Sequence, residues 1–128
     1  MIVLDTHAWI WFADESGKLS AAARRSLESE ADLLVPAISC WEVAMLVEKK
    51  RLKFNQDVLS WIRLALDLPK IVLAPLLPEI AVRATRLGRA FHDDPADRLI
   101  VATALHHDAT LVTADKRIRA FGGVSTIW

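Results

Sequence analysis

The chain has 128 residues, sixteen basic and sixteen acidic side chains, and a hydrophobic share of 53%. That length and apolar content exclude a disordered chain and predict one domain over 1–128, with a core of its own. The cancelling charges exclude a protein that coats nucleic acid through a global positive excess, so any nucleic-acid contact has to come from local patches.

The N-terminal run "MIVLDTHAWIWF" has no basic leader and carries Asp5 inside it, so it does not read as a signal peptide. No apolar stretch approaches the roughly 18 residues of a membrane span. The single cysteine, Cys40, excludes an internal disulfide and a thiolate metal cluster. It reads as a core residue. A cytoplasmic location with no membrane association is expected.

"MIVLD" reads as a short strand buried on both faces, followed by a short helix over "HAWIWFADE". Ser20 is placed as the N-cap of a second helix, with Ala23, Leu27 and Ala31 at helical spacing. "LLVP" is the second strand. Ser39 and Glu42 have the spacing of a capping box, which predicts that a helix starts at Ser39. "NQDVLSWIRLALDL" repeats the helical pattern, with Val58, Ile62, Ala65 and Leu66 on one face.

"IVLAPL" is the third strand. Pro78 then begins a helix whose inner face carries Ile80, Ala84 and Leu87, with Gly88 as its stop. Asp94 and Pro95 start the helix "ADRLIVATALHH". "ATLVTAD" is the fourth strand, "KRIRAFGG" a last short helix, and "VSTIW" a final strand. Strands alternating with helices predict an α/β sandwich around a parallel sheet.

In such sheets ligands bind beyond the carboxyl ends of the strands. Asp5 ends the first strand, and Asp115 follows the fourth. Glu42 and Asp97 each sit near a predicted helix start. Taken singly, each acid also reads as capping: Asp5 and Asp115 as N-caps, Glu42 as half of its box, Asp97 as a charge suited to the helix dipole. Together they occupy positions that can converge on one sheet edge. Converging carboxylates in a dry site destabilise the fold unless raised pKa values or a cation neutralise them. An oxygen-only donor set suits Mg²⁺ or Mn²⁺ rather than zinc, and such cations typically act on phosphate esters.

At this point "VLDTHAWIW", "SCWE", "HDDPADRLIVATAL" and "LVTADKRI" together resemble the PIN domain, and within it the VapC-type toxins of bacterial toxin–antitoxin pairs. The likeness runs over essentially the whole chain; "DPADRLI" and "LVTAD" are its specific blocks. It implies a three-layer α/β/α fold and a Mg²⁺- or Mn²⁺-dependent endoribonuclease whose metal-holding, catalytic acids are Asp5, Glu42, Asp97 and Asp115. Thr6 and Thr113 match supporting hydroxyl positions, and Asp94 matches the cap that orients Asp97. His7 stands where many relatives have Asn, which leaves RNA contact or simple packing open. The resemblance also implies an RNA substrate, a cognate VapB-type antitoxin and a homodimer.

Lys116 and Arg117 directly follow Asp115 and are the best-placed residues for phosphate contact. The other basic clusters, Lys49 to Lys53 and Arg83, Arg86 and Arg89, read as solvated faces. His92 reads as a surface-loop histidine, and Asp93 as a solvated acid. His106 and His107 are adjacent, about 100° apart on a helix, and suit its last turn rather than a metal.

Three rival readings remain open: a PIN nuclease of RNA maturation, a catalytically dead binding module, and a phospho-acceptor signalling domain. The last needs an acid pair after strand one, where only Asp5 stands, and an acceptor at the end of a middle strand, whereas Asp57 opens a helix.

Overall fold

The computed structural model describes residues 1–128. Five parallel strands form one sheet in the order β3-β2-β1-β4-β5. They are β1 (Ile2–Leu4), β2 (Leu33–Pro36), β3 (Ile71–Ala74), β4 (Thr110–Val112) and β5 (Thr126–Ile127). Seven helices connect them: α1 (Thr6–Ala13), α2 (Ala21–Ser29), α3 (Ala37–Glu48), α4 (Val58–Leu66), α5 (Pro78–Thr85), α6 (Pro95–His106) and α7 (Lys116–Phe121).

The period-2 alternation of the strands divides the core into two layers. Ile2, Leu4, Leu33, Val35 and Val112 face Trp9 of α1, Ala23 and Leu27 of α2, Val43 of α3, and Trp61, Ile62 and Ala65 of α4. Val3, Leu34 and Leu111 face the other way, onto Ile100, Val101 and Ala104 of α6 and Ile118 of α7. Helix α5 docks on α6 through Ile80 and Ala84 against Ala102. The result is the expected α/β/α arrangement.

Chain order places the site. β2 and β3 extend the sheet to one side of β1, whereas β4 and β5 extend it to the other. The order therefore reverses between β1 and β4, and the carboxyl ends of these neighbours open a crevice, as parallel sheets do at such a switch point.

Most helix starts lie where the capping residues put them. Ser20 accepts from Ala23 N at 3.0 Å, Asp57 from Leu59 N at 3.1 Å, and Asp94 from Asp97 N at 3.1 Å. Helix α3 departs from its expected start: it begins at Ala37 behind Pro36, with no side-chain cap, as α5 also has none behind Leu77. Ser39 and Glu42 therefore lie inside the helix, and the capping-box expectation fails. Proline fixes its own φ, and β2 runs directly into the helix, so Ser39 is free for other partners. Ala31 lies beyond the end of α2, and Leu87 beyond α5. The edge strand β3 leaves Val72 and Leu73 exposed.

Candidate active site

A cleft of about 420 Å³ opens at the switch point, lined by Asp5, His7, Trp11, Glu42, Asp94, Asp97, Ala114, Asp115 and Arg117. Its acids arrive from separate elements. Asp5 ends β1 and caps α1; Glu42 lies inside α3; Asp97 is in the first turn of α6; Asp115 caps α7. Asp5 and Asp97 are buried, at 8% and 7% exposure.

Hydroxyls hold the acids in place. Thr113 Oγ1 donates to Asp5 Oδ2 at 2.6 Å and accepts from Asp115 N at 3.0 Å, so one buried side chain ties two acids together. Asp5 Oδ1 accepts from Thr6 N at 2.8 Å. The Thr6 hydroxyl donates to Glu42 Oε1 and lies 3.0 Å from Ser39 Oγ. Ser39 thus braces Thr6 rather than capping α3.

His92 overturns its expected place on the surface. Its Nε2 donates to Asp97 Oδ2 at 2.7 Å, its side chain is 19% exposed, and its ring stacks on Phe91 at 4.5 Å. No periodicity encodes a contact across a loop. Asp93 is exposed, as expected.

Burial dominates the electrostatics. Removal from water pushes the Asp5 carboxyl up, against the pull of the Thr113 and Thr6 hydrogen bonds and of His7. Glu42 is pushed up to about 7 by burial, with repulsion from Asp5, Asp97 and Asp94 adding to it and the Thr6 hydrogen bond opposing it. Asp97 rises to about 6 for the same first reason, reinforced by Asp5, Asp94 and Asp115 and opposed by the His92 hydrogen bond.

The only Lys or Arg lining the cleft is Arg117. Its guanidinium stands 3.8 Å from Asp97 Oδ2 and 3.9 Å from Asp115 Oδ1, and its side chain is 64% exposed. Such a partner is strongly screened by water.

As the side chains stand, no three His, Cys, Asp or Glu groups close around one point to grip an ion. Glu42 is turned onto Thr6, and Asp97 onto His92. The donor chemistry nevertheless fits a hard cation: the acidic oxygens face a common cleft, and no buried positive charge balances them.

Other candidates fall elsewhere. His7 is exposed at the rim, 5.7 Å from the Trp11 ring, while Lys116 is exposed and does not line the cleft. Burial and the neighbouring His106 lower the pKa of His107. Cys40 is half-buried and packs against the core.

The family model of the PIN domain matches residues 2–124. The chain belongs to the PIN domain family. Among PIN relatives it is similar to "Ribonuclease VapC22" of Mycobacterium tuberculosis, at 40% identity over 119 residues, covering 93% of this chain and 90% of that protein. The fold matches VapBC2 from Rickettsia felis, solved with a promoter DNA fragment, with a TM-score of 0.71 at 17% identity, covering 99% of this chain and 98% of that one. It also matches a toxin-antitoxin complex from Klebsiella pneumoniae, with a TM-score of 0.67 at 21% identity, covering 100% and 97%.

Proposed function

We propose that this PIN domain is a Mg²⁺- or Mn²⁺-dependent endoribonuclease and the toxin of a toxin–antitoxin pair. The carrying observation is the cleft itself: carboxylates from separate elements share it with no buried cation, and burial raises the proton affinity of Asp5, Glu42 and Asp97. The likeness to a named VapC ribonuclease supports RNA as the substrate.

Asp5, Glu42, Asp97 and Asp115 are the groups that would hold the cation. Bound there, it would lower the pKa of a water and neutralise charge developing on a phosphodiester. Thr113 and Thr6 orient Asp5, Glu42 and Asp115 by the hydrogen bonds already described, and Asp94 pins the backbone of Asp97. Arg117 and His7 flank the mouth, where they are placed to meet phosphate oxygens; Lys116 is exposed beside Arg117.

A second hollow of about 570 Å³ shares Trp11 with the acid cleft and is lined by Phe12, Leu19, Leu27 and Leu68 with charges from Glu15, Arg24, Glu28 and Lys70. That mixture suits an amphipathic segment of a VapB-type antitoxin. A second copy of the chain is the proposed cover for the exposed edge at Val72 and Leu73. The cell compartment proposed is the cytoplasm; no helix is long and apolar enough to cross a membrane.

The test is cleavage of total RNA by the purified chain with Mg²⁺ or Mn²⁺. EDTA or Asp5→Asn is expected to lower cutting beyond the roughly 10–100-fold associated with an outer-shell partner. Cutting unchanged by both treatments overturns the reading. Growth arrest on expression, relieved by Asp5→Asn, separates a toxin from an RNA-maturation nuclease.

A further inference from the structure

The segment between α5 and α6 is organised around a side chain that does not touch the cleft. Arg98 donates from Nε to His92 O at 2.9 Å, from Nη1 to Ala84 O at 3.1 Å, and from Nη2 to Gly88 O at 3.1 Å and Phe91 O at 2.8 Å. Four of the five guanidinium N–H donors are thus spent on carbonyls. Ala84 O belongs to the last turn of α5, where carbonyls lack helical partners. Gly88 has a φ of +88°, which lets the chain turn back toward the guanidinium.

This placement is costly on its own terms. Arg98 lies in the opening turn of α6, beside the positive end of the helix dipole, with its side chain only 17% exposed. The acid its guanidinium faces is the exposed Asp93, at 3.7 Å. Its carbonyl contacts therefore dominate its surroundings. They fix the backbone of His92, while buried Phe91 packs under the imidazole and under Arg98, 5.8 Å from its ring centre. The circuit closes at Asp97, the neighbour of Arg98 on α6, which receives the His92 hydrogen bond.

We propose that Arg98 is a positioning residue of the carboxylate cleft: by gathering the carbonyls of Ala84, Gly88, Phe91 and His92 it holds the imidazole of His92 on Asp97. Helix α6 thereby carries both an acid and the clamp that sets that acid's hydrogen-bond partner. A lysine cannot replace it, because a single ammonium lacks the planar fork that reaches carbonyls in several directions. The consequence for cation binding rests on the proposal that Asp97 is one of the cation-holding acids.

The test uses the full chain with Arg98→Met, Arg98→Lys, His92→Ala and the Arg98→Met/His92→Ala double variant. In the metal-free protein, ¹⁵N NMR reads the His92 Nε2 hydrogen bond, and amide exchange reads residues 86–92. Both Arg98 variants are expected to lose the imidazole signature, with exchange in that loop at least about tenfold faster and α6 still protected. Mn²⁺ affinity by calorimetry is expected to fall about 10–100-fold in Arg98→Met, to match His92→Ala, and to fall no further in the double variant.

Arg98→Lys keeps the charge and decides the matter if Arg98→Met does not fold. An intact imidazole signature in either folded variant, with only the melting temperature lowered, overturns the proposal. So does additive loss of Mn²⁺ affinity in the double variant. If the native chain takes up no Mn²⁺, the cation reading of the cleft fails, and the metal-free signals still decide the role of Arg98.

Discussion

Asp57 and Asp5 both cap helices, in surroundings that make them different groups. Asp57 starts α4 from an exposed position and accepts from Leu59 N and Ser60 N at 3.1 and 3.3 Å. Asp5 starts α1 by accepting from Thr6 N, but it is buried, receives Thr113 as well, and faces Glu42, Asp97 and Asp115 across the cleft. One aspartate is solvated and stabilises its helix. The other is dehydrated among like charges, and its capping bond offsets only part of that burden. The same local grammar thus serves stability in one place and concentrates negative charge in another, according to where the helix starts relative to the sheet.

The sharpest way to break this comparison is a pair of substitutions. Asp5→Asn is expected to abolish RNA cutting while leaving the melting temperature at pH 8 unchanged or higher, since it keeps a capping oxygen and removes a carboxyl buried among other acids. Asp57→Asn is expected to leave cutting within about twofold, as exposed positions away from a site usually do. Equal losses at both positions would remove the distinction.

Next in size is Thr113→Val, which deletes the hydroxyl that donates to Asp5 Oδ2 and accepts from Asp115 N. Mn²⁺ affinity is expected to fall about tenfold, as for a group that orients a ligand. Titration calorimetry checks it.

A pH series tests the electrostatics. Glu42 moves from 4.5 to about 7 and Asp97 from 3.8 to about 6 on folding. The folded chain therefore binds protons more tightly than the unfolded one. Stability from these groups is complete below about pH 4 and is lost as pH rises through about 6 and 7. In this window the metal-free protein is expected to melt several degrees higher near pH 5 than near pH 8, once other titrations are subtracted with the Glu42→Gln/Asp97→Asn variant. Saturating Mg²⁺ is expected to raise melting more at pH 8, where the acids are ionised, than at pH 5. The smallest effect is Asp57→Ala, a lost cap costing about 1 kcal/mol with cutting unchanged. Thermal melting beside an RNA assay reads both.

How legible the molecule was from its sequence follows the range of the physics involved. Strand alternation and the caps at Ser20, Asp57 and Asp94 act over a few residues, so the elements fall close to their expected places. Asp5 and Asp115 could be nominated because each follows a predicted strand, whereas the pairing of β1 with β4 that brings them together is visible only in the fold. The failures came where distant groups compete for the same atom. Ser39 had the spacing of a cap, but Pro36 started the helix earlier and Thr6, thirty-three positions away, took its hydroxyl. His92 read as a loop residue because nothing in a linear pattern encodes its return to Asp97.

The sequence by itself determined the alternating α/β architecture and which positions are acidic, since both follow from local periodicity and residue type. Only the tertiary structure decided which acids lose water, which hydroxyl each receives, and that Arg98 binds the carbonyls on which His92 depends. Burial and hydrogen-bond pairing are properties of neighbours brought together by folding, whether they come from opposite ends of the chain, as Asp5 and Thr113 do, or from two sides of one loop, as His92 and Asp97 do. In "HDDPADRLI" the acids were visible from the start; the histidine and the arginine acquired their meaning only when the loop closed between them.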